Sequence, residues 1–219
     1  QIHRWRTAIL KGRSGASDAT RELKEIINPL AAPILAELLQ KKNEPRLLKM
    51  IYVEVLAKLG GGIAVDAMAD RVMNDADERI QEVCLEQLAE WKSRRAIVFF
   101  VLKLQSSNNG EINQAGFALG QMGHSDAIVP LIEALTSKHK IQVGNPNQIN
   151  AGFSPGGNGG LGFGSRPKII EQEVPNKRVH GALLLLVPEG INYRFNKAGW
   201  KNWYAQANTP RNVNLRRDN

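Results

Sequence analysis

Hydrophobic and polar positions recur with one period along most of the chain. Arg46–Asn74, Arg79–Ser106, Glu111–Ser137 and Lys177–Tyr204 each read as an amphipathic helix, a short polar or Gly turn, and a second apolar helix. Leu56, Leu88 and Leu119 hold equivalent positions, 32 and 31 residues apart. Inside the helices, Ile51, Val55, Leu59 and Val83, Leu88, Trp91 keep helical spacing, while Glu54, Lys58, Glu86 and Glu90 face elsewhere. A unit this short cannot bury its apolar side alone, so neighbours must stack. The predicted fold is all-α, an α-α superhelix of about five helix pairs.

The remaining segments fill in around that array. Gln1–Leu10 carries Ile2, Trp5, Ile9 and Leu10 at helical spacing and stops at Gly12–Gly15, which makes residues 1–15 an N-terminal cap helix. Ser17–Ile27 and Pro29–Gln40 form a first, less regular pair, so the array runs over 16–140. Pro29 suits a first helical turn, where its missing N–H is harmless. Asp75 with Glu78, and Asn108 with Glu111, have capping-box spacing. Gly60–Gly62 and Gly123 end first helices, where a left-handed residue is cheap. Periodicity lapses over 141–175. There the β-prone segments Lys138–Val143 and Lys168–Val174 are expected to pair as an antiparallel hairpin, with the Gly-rich tract 152–165 as its mobile tip. Residues 176–205 restore a last repeat with an aromatic C-terminal cap, and 206–219 read as a basic disordered tail.

Composition adds limits rather than a function. The 219 residues are 42% hydrophobic and 23% charged, which is ordinary for a globular protein. No apolar run reaches the 18 or so residues of a spanning helix. The start at Gln1 rather than Met leads to the expectation that something upstream was removed, and neither a signal peptide nor the compartment is legible. The net charge of +8 is uneven. Residues 1–27 hold six Lys/Arg against three Asp/Glu, 28–165 hold 13 against 14, and 166–219 hold ten against four. Basic ends on a neutral body suit attraction to an acidic partner.

Candidate chemistry is sparse. The one cysteine, Cys84, excludes an internal disulfide and any Cys-based zinc site, and its apolar helical position marks a core residue. Gly157, Gly159 and Gly162 spell part of a dinucleotide fingerprint, but Phe163–Pro167 cannot open the helix that motif needs. His3, His124, His139 and His180 have no metal-ligand spacing. No catalytic, cofactor-binding or metal-binding residue is assigned. The partner-binding candidates are Arg94 and Arg95, which open a second helix, and Trp200, Lys201, Trp203 and Tyr204 on the last helix. Interleaved aromatics and cations stack on bases or sugars. For Trp200 and Trp203 the favoured reading is a cover over the exposed end of the last repeat.

These features resemble the HEAT-repeat family within the armadillo-type superhelices. The turn Leu119–Gly120–Gln121–Met122–Gly123–His124–Ser125–Asp126–Ala127–Ile128–Val129–Pro130–Leu131–Ile132 is similar to its repeat consensus. The nearer likeness is to bacterial HEAT proteins of unassigned activity, in which a Gly-rich insertion follows a segment like Thr136–Lys140. In these the last repeat ends in a helix like Ala198–Tyr204. Val187–Pro188–Glu189–Gly190 departs from the regular pattern. The resemblance implies a non-enzymatic scaffold that binds another protein. The alternative is nucleic-acid or polyanion binding through the basic ends. A third reading is a HEAT-like lyase or DNA glycosylase component.

Overall fold

The computed structural model describes residues 1–12, 15–143, 149–152, 160–163 and 168–209. After α1 (Ile2–Lys11), the helices come in successive pairs: α2 (Ala16–Lys24) with α3 (Ala32–Leu39), α4 (Arg46–Leu59) with α5 (Gly61–Asn74), and α6 (Glu78–Glu90) with α7 (Arg94–Lys103). Then follow α8 (Asn109–Met122) with α9 (Ile128–Glu133), and α10 (Lys177–Leu186) with α11 (Lys197–Asn208). Each first helix packs on the next first helix, from α2 through α4, α6 and α8 to α10. Among the second helices α3 packs on α5, α5 on α7, and α9 on α11. This is the stacking that the repeat period requires, and Leu56, Leu88 and Leu119 are all fully buried in its core.

Local chemistry sets the helix ends. Pro29 opens a 3-10 turn whose Leu30 N–H is accepted by the Asn28 side chain, and α3 continues from it. Asn108 caps α8 by accepting the Gly110 N–H at 2.7 Å. Ser93 caps α7 and Asn196 caps α11. Gly123 closes α8 in the left-handed region at φ 68°. The expected capping box at Asp75 is corrected. Asp77 is the cap of α6, accepting the Arg79 N–H at 3.0 Å. Asp75 lies two residues earlier, 4% exposed, where a buried lysine recruits its carboxylate.

Between α9 and α10 the chain forms strands β1 (Thr136–Val143), β2 (Ile149–Gly152), β3 (Gly160–Phe163) and β4 (Lys168–Pro175). β1 pairs antiparallel with β4, from Thr136 opposite Pro175 to Val143 opposite Lys168. The expected hairpin is present, and both strands extend further toward its root than the sequence pattern suggested. The register sets Lys138 opposite Glu173 and Lys140 opposite Glu171, favourable cross-strand charge pairs. At the root, the fully buried Asn176 donates to the Ala134 carbonyl at 2.8 Å and accepts from Asn113. A second ladder, β2 with β3, places Gly160–Phe163 in a strand within the tract expected to be a mobile tip. Residues 153–159 and 164–165 of that tract, and 210–219 of the basic tail, lie outside the described residues.

The last pair docks on α8 across this insertion. A Cβ on Gly116 would stand 2.6 Å from Val179 Cγ2, and one on Gly120 2.7 Å from Ala182 Cβ. Two glycines four apart on one helix face therefore let α10 approach at backbone distance. The insertion interrupts the sequence but not the stack.

Candidate partner-binding surface

The six sequence-derived residues fall into two separate groups. Arg94 and Arg95 open α7 and reach in opposite directions along the array. Arg95 grips Asp66 of α5 through two hydrogen bonds, Nε at 2.5 Å and Nη2 at 2.6 Å, and Arg94 Nη2 meets Asp126, beside the turn into α9, at 3.2 Å. Both arginines are well exposed, and together they bridge three successive repeats. Val98 and Leu102, on the same helix, are also largely exposed.

The second group sits on α11. Trp200 is fully buried, and its indole N–H donates to the Arg194 carbonyl at 2.8 Å. Arg194 holds that carbonyl in place from a left-handed conformation, φ 50°, with its own N–H bonded to the Asn192 side chain. Tyr193 and Trp203 meet the Trp200 ring edge-on at centroid distances of 5.4 and 5.9 Å. Trp203 and Tyr204 are half-buried against the core, and Lys201 pairs with Glu133 at 2.6 Å. Trp200 therefore offers a partner no surface, whereas Lys201 is exposed and Trp203 and Tyr204 are partly so.

The row of first helices carries a set of grooves that the sequence reading did not single out. Between α4 and α6, a groove of about 780 Å³ is floored by Met50, Val83 and Trp91, with the exposed Leu47 in its wall. Between α6 and α8, a smaller one of about 340 Å³ is formed by Leu85, Ala89 and Phe117, with Glu82, Glu86 and Gln121. It shares Glu82, Leu85 and Phe117 with a neighbouring cavity of about 460 Å³ that reaches Gln114 and Arg178. Glu78, Glu82, Glu86 and Glu90 are all exposed and follow one another at four-residue intervals along α6. Arg79 meets Glu82 at 3.1 Å and Glu86 at 3.9 Å.

Along the row of first helices a chain of polar side chains ties the repeats together. Lys49 Nζ donates to both oxygens of Asp75, at 3.0 and 2.7 Å. The Asp75 carbonyl accepts from Gln81, Gln114 donates to Gln81, and Arg178 donates to Gln114 at 2.7 Å. Lys49, Gln81, Gln114 and Arg178 stand on α4, α6, α8 and α10, one on each first helix after α2. Burial pushes the Asp75 carboxyl up. The Lys49 hydrogen bond, the Asp77 N–H and the charges of Lys49 and Arg71 outweigh it and hold the group below its ordinary range. Near α1, Arg6 grips Glu44 through two bonds of 2.7 Å, and Tyr52 donates to the same carboxylate at 2.9 Å. Burial raises the Glu44 carboxyl, but these hydrogen bonds bring it below the usual value.

Cys84 is sealed in the core, where burial first and the Asp75 charge second push its thiol up to about 12. Among the described residues no group of three or more His, Cys, Asp and Glu is placed to hold a metal ion. No helix among them is long and apolar enough to cross a membrane.

Residues 113–137 match the family model of the PBS lyase HEAT-like repeat. The matched span runs from the middle of α8 through α9 to the start of β1, so it covers the turn whose consensus likeness the sequence carries. The match supports a HEAT-repeat family for this chain. No curated protein matches it.

Proposed function

We propose that the chain is a non-enzymatic HEAT-repeat scaffold that binds another protein along its first-helix row. The observation that carries this reading is the run of apolar-floored grooves, from Leu47, Met50, Val83 and Trp91 to Leu85, Ala89 and Phe117, across consecutive repeats. An extended surface of this kind suits an extended polypeptide partner. The matched repeat is a structural unit, and the lyase in its name belongs to that family's description. A buried thiol pushed up to about 12 is a poor nucleophile, so Cys84 is assigned no catalytic role. We also infer kinship with the bacterial HEAT proteins described above. The hairpin that follows Thr136–Lys140 and the aromatic helix α11 support it.

Affinity capture with the full chain, under nuclease treatment and stepped salt, tests the reading. A single protein retained in fixed ratio after nuclease and at high salt is expected. Retention of nucleic acid that washes off steeply with salt would instead favour the polyanion alternative.

A further inference from the structure

Resting on the scaffold reading, we infer that the α6–α8 groove is the docking site for a basic amphipathic segment of the partner protein. The groove is apolar at its floor, with Leu85, Ala89 and Phe117 contributing, and acidic at its rim, with Glu82 and Glu86. Those two glutamates belong to the row Glu78, Glu82, Glu86, Glu90, which spans about 18 Å of α6 at 1.5 Å per residue. A partner helix of three to four turns fits that length. Arg79 is the one cation within 4 Å of the row among the described residues, so the rim carries excess negative charge.

The neighbouring cavity, which shares Phe117 with the groove, already holds one guanidinium. Arg178 lies over the Phe117 ring, 4.2 Å from its centroid, and donates to Gln114. An aromatic face beside carboxylates is a setting that attracts guanidinium and ammonium groups. Arg178 closes the neighbouring cavity at the Phe117 end, so the partner's cations are assigned to Glu82 and Glu86, with its apolar side on Leu85, Ala89 and Phe117. A segment of this pattern buries apolar surface and neutralises the row at once, which an acidic or uncharged segment does not.

The test uses two labelled 15-residue helical peptides, one of Lys and Leu and one of Glu and Leu, titrated by fluorescence anisotropy into the full chain at physiological salt. Three proteins are compared: the parent, Glu82→Lys/Glu86→Lys, and Glu25→Lys/Glu37→Lys, which changes net charge equally elsewhere. The Lys/Leu peptide should bind the parent and the Glu25/Glu37 variant alike. Binding to the Glu82/Glu86 variant should weaken by about tenfold or more. The Glu/Leu peptide should bind none of them. Equal binding to all three proteins, or equal loss in both variants, overturns the assignment. The captured partner separates this from the scaffold reading. A protein retained equally by the parent and the Glu82/Glu86 variant overturns the groove while leaving the scaffold in place. Failure to retain any protein overturns the scaffold itself.

Discussion

Gly116 of α8 faces Val179 of α10 so closely that a methyl on Gly116 would fall 2.6 Å from Val179 Cγ2 and 3.0 Å from its Cα. Backbone atoms cannot yield as a flexible side-chain tip does. Gly116→Ala is therefore expected to destabilise the fold by about 1–3 kcal/mol through overpacking. Gly181 supplies the control. It lies in α10 with open space where a Cβ would stand, so Gly181→Ala should be neutral or stabilising by up to about 1 kcal/mol. Urea unfolding of the two variants separates a packing effect from helix propensity. Equal behaviour would mean that α8 and α10 do not meet at backbone distance.

The repeat period was legible because apolar residues at helical spacing return at nearly constant intervals, and stacking is the only way to bury them. The hairpin strands were legible from β-prone runs beside Gly. The α8–α10 contact was not, although Gly116 and Gly120 stand four apart in plain view. Their meaning depends on what lies opposite, and that partner is over sixty residues away. Asp75 was misread for a similar reason. Its spacing to Glu78 fits a helix cap, but Lys49, 26 residues earlier, takes the carboxylate. The acidic row on α6 was not legible as a row, with Glu86 and Glu90 read only as facing away from the apolar side, since the groove beside it is made with α8.

Lys49 and Asp75 form an ion pair with side chains 7% and 0% exposed. Lys49→Met leaves a buried carboxylate short of its main donor and is expected to cost about 3–5 kcal/mol. Asp75 has a depressed pKa in the folded state, so its contribution to stability is present above its ordinary unfolded value of about 4 and lost as pH falls through the folded value. Unfolding midpoints of the parent should fall below about pH 4, and Asp75→Asn should flatten that limb while lowering stability at neutral pH. An acid limb of the same slope in both proteins would contradict this.

Trp200 and Trp203 of α11 meet edge-on at 5.9 Å, and the proposed cap role makes both structural. Truncation of the fully buried Trp200 to Ala should cost about 3–5 kcal/mol, and the half-buried Trp203 less. Differential scanning calorimetry should therefore rank the melting temperatures as parent, Trp203→Ala, Trp200→Ala. If both variants melt like the parent but lose the captured partner, the aromatic cluster is a binding surface.

Cys84 provides a probe of array integrity. With its thiol pushed up to about 12 and no exposed surface, it should resist a thiol reagent at pH 8 in the native protein and react fully in denaturant. Rapid labelling of the native chain would show that α6 does not sit in a sealed core.

The scaffold reading is tested most directly by hydrogen exchange on the purified complex of the full chain with its captured protein. Added protection is expected along the first-helix row, strongest in α6 and α8, with the second-helix row and α11 unchanged. A complex that leaves α6 and α8 exchanging as in the free protein, with protection confined to the basic ends, would contradict that account.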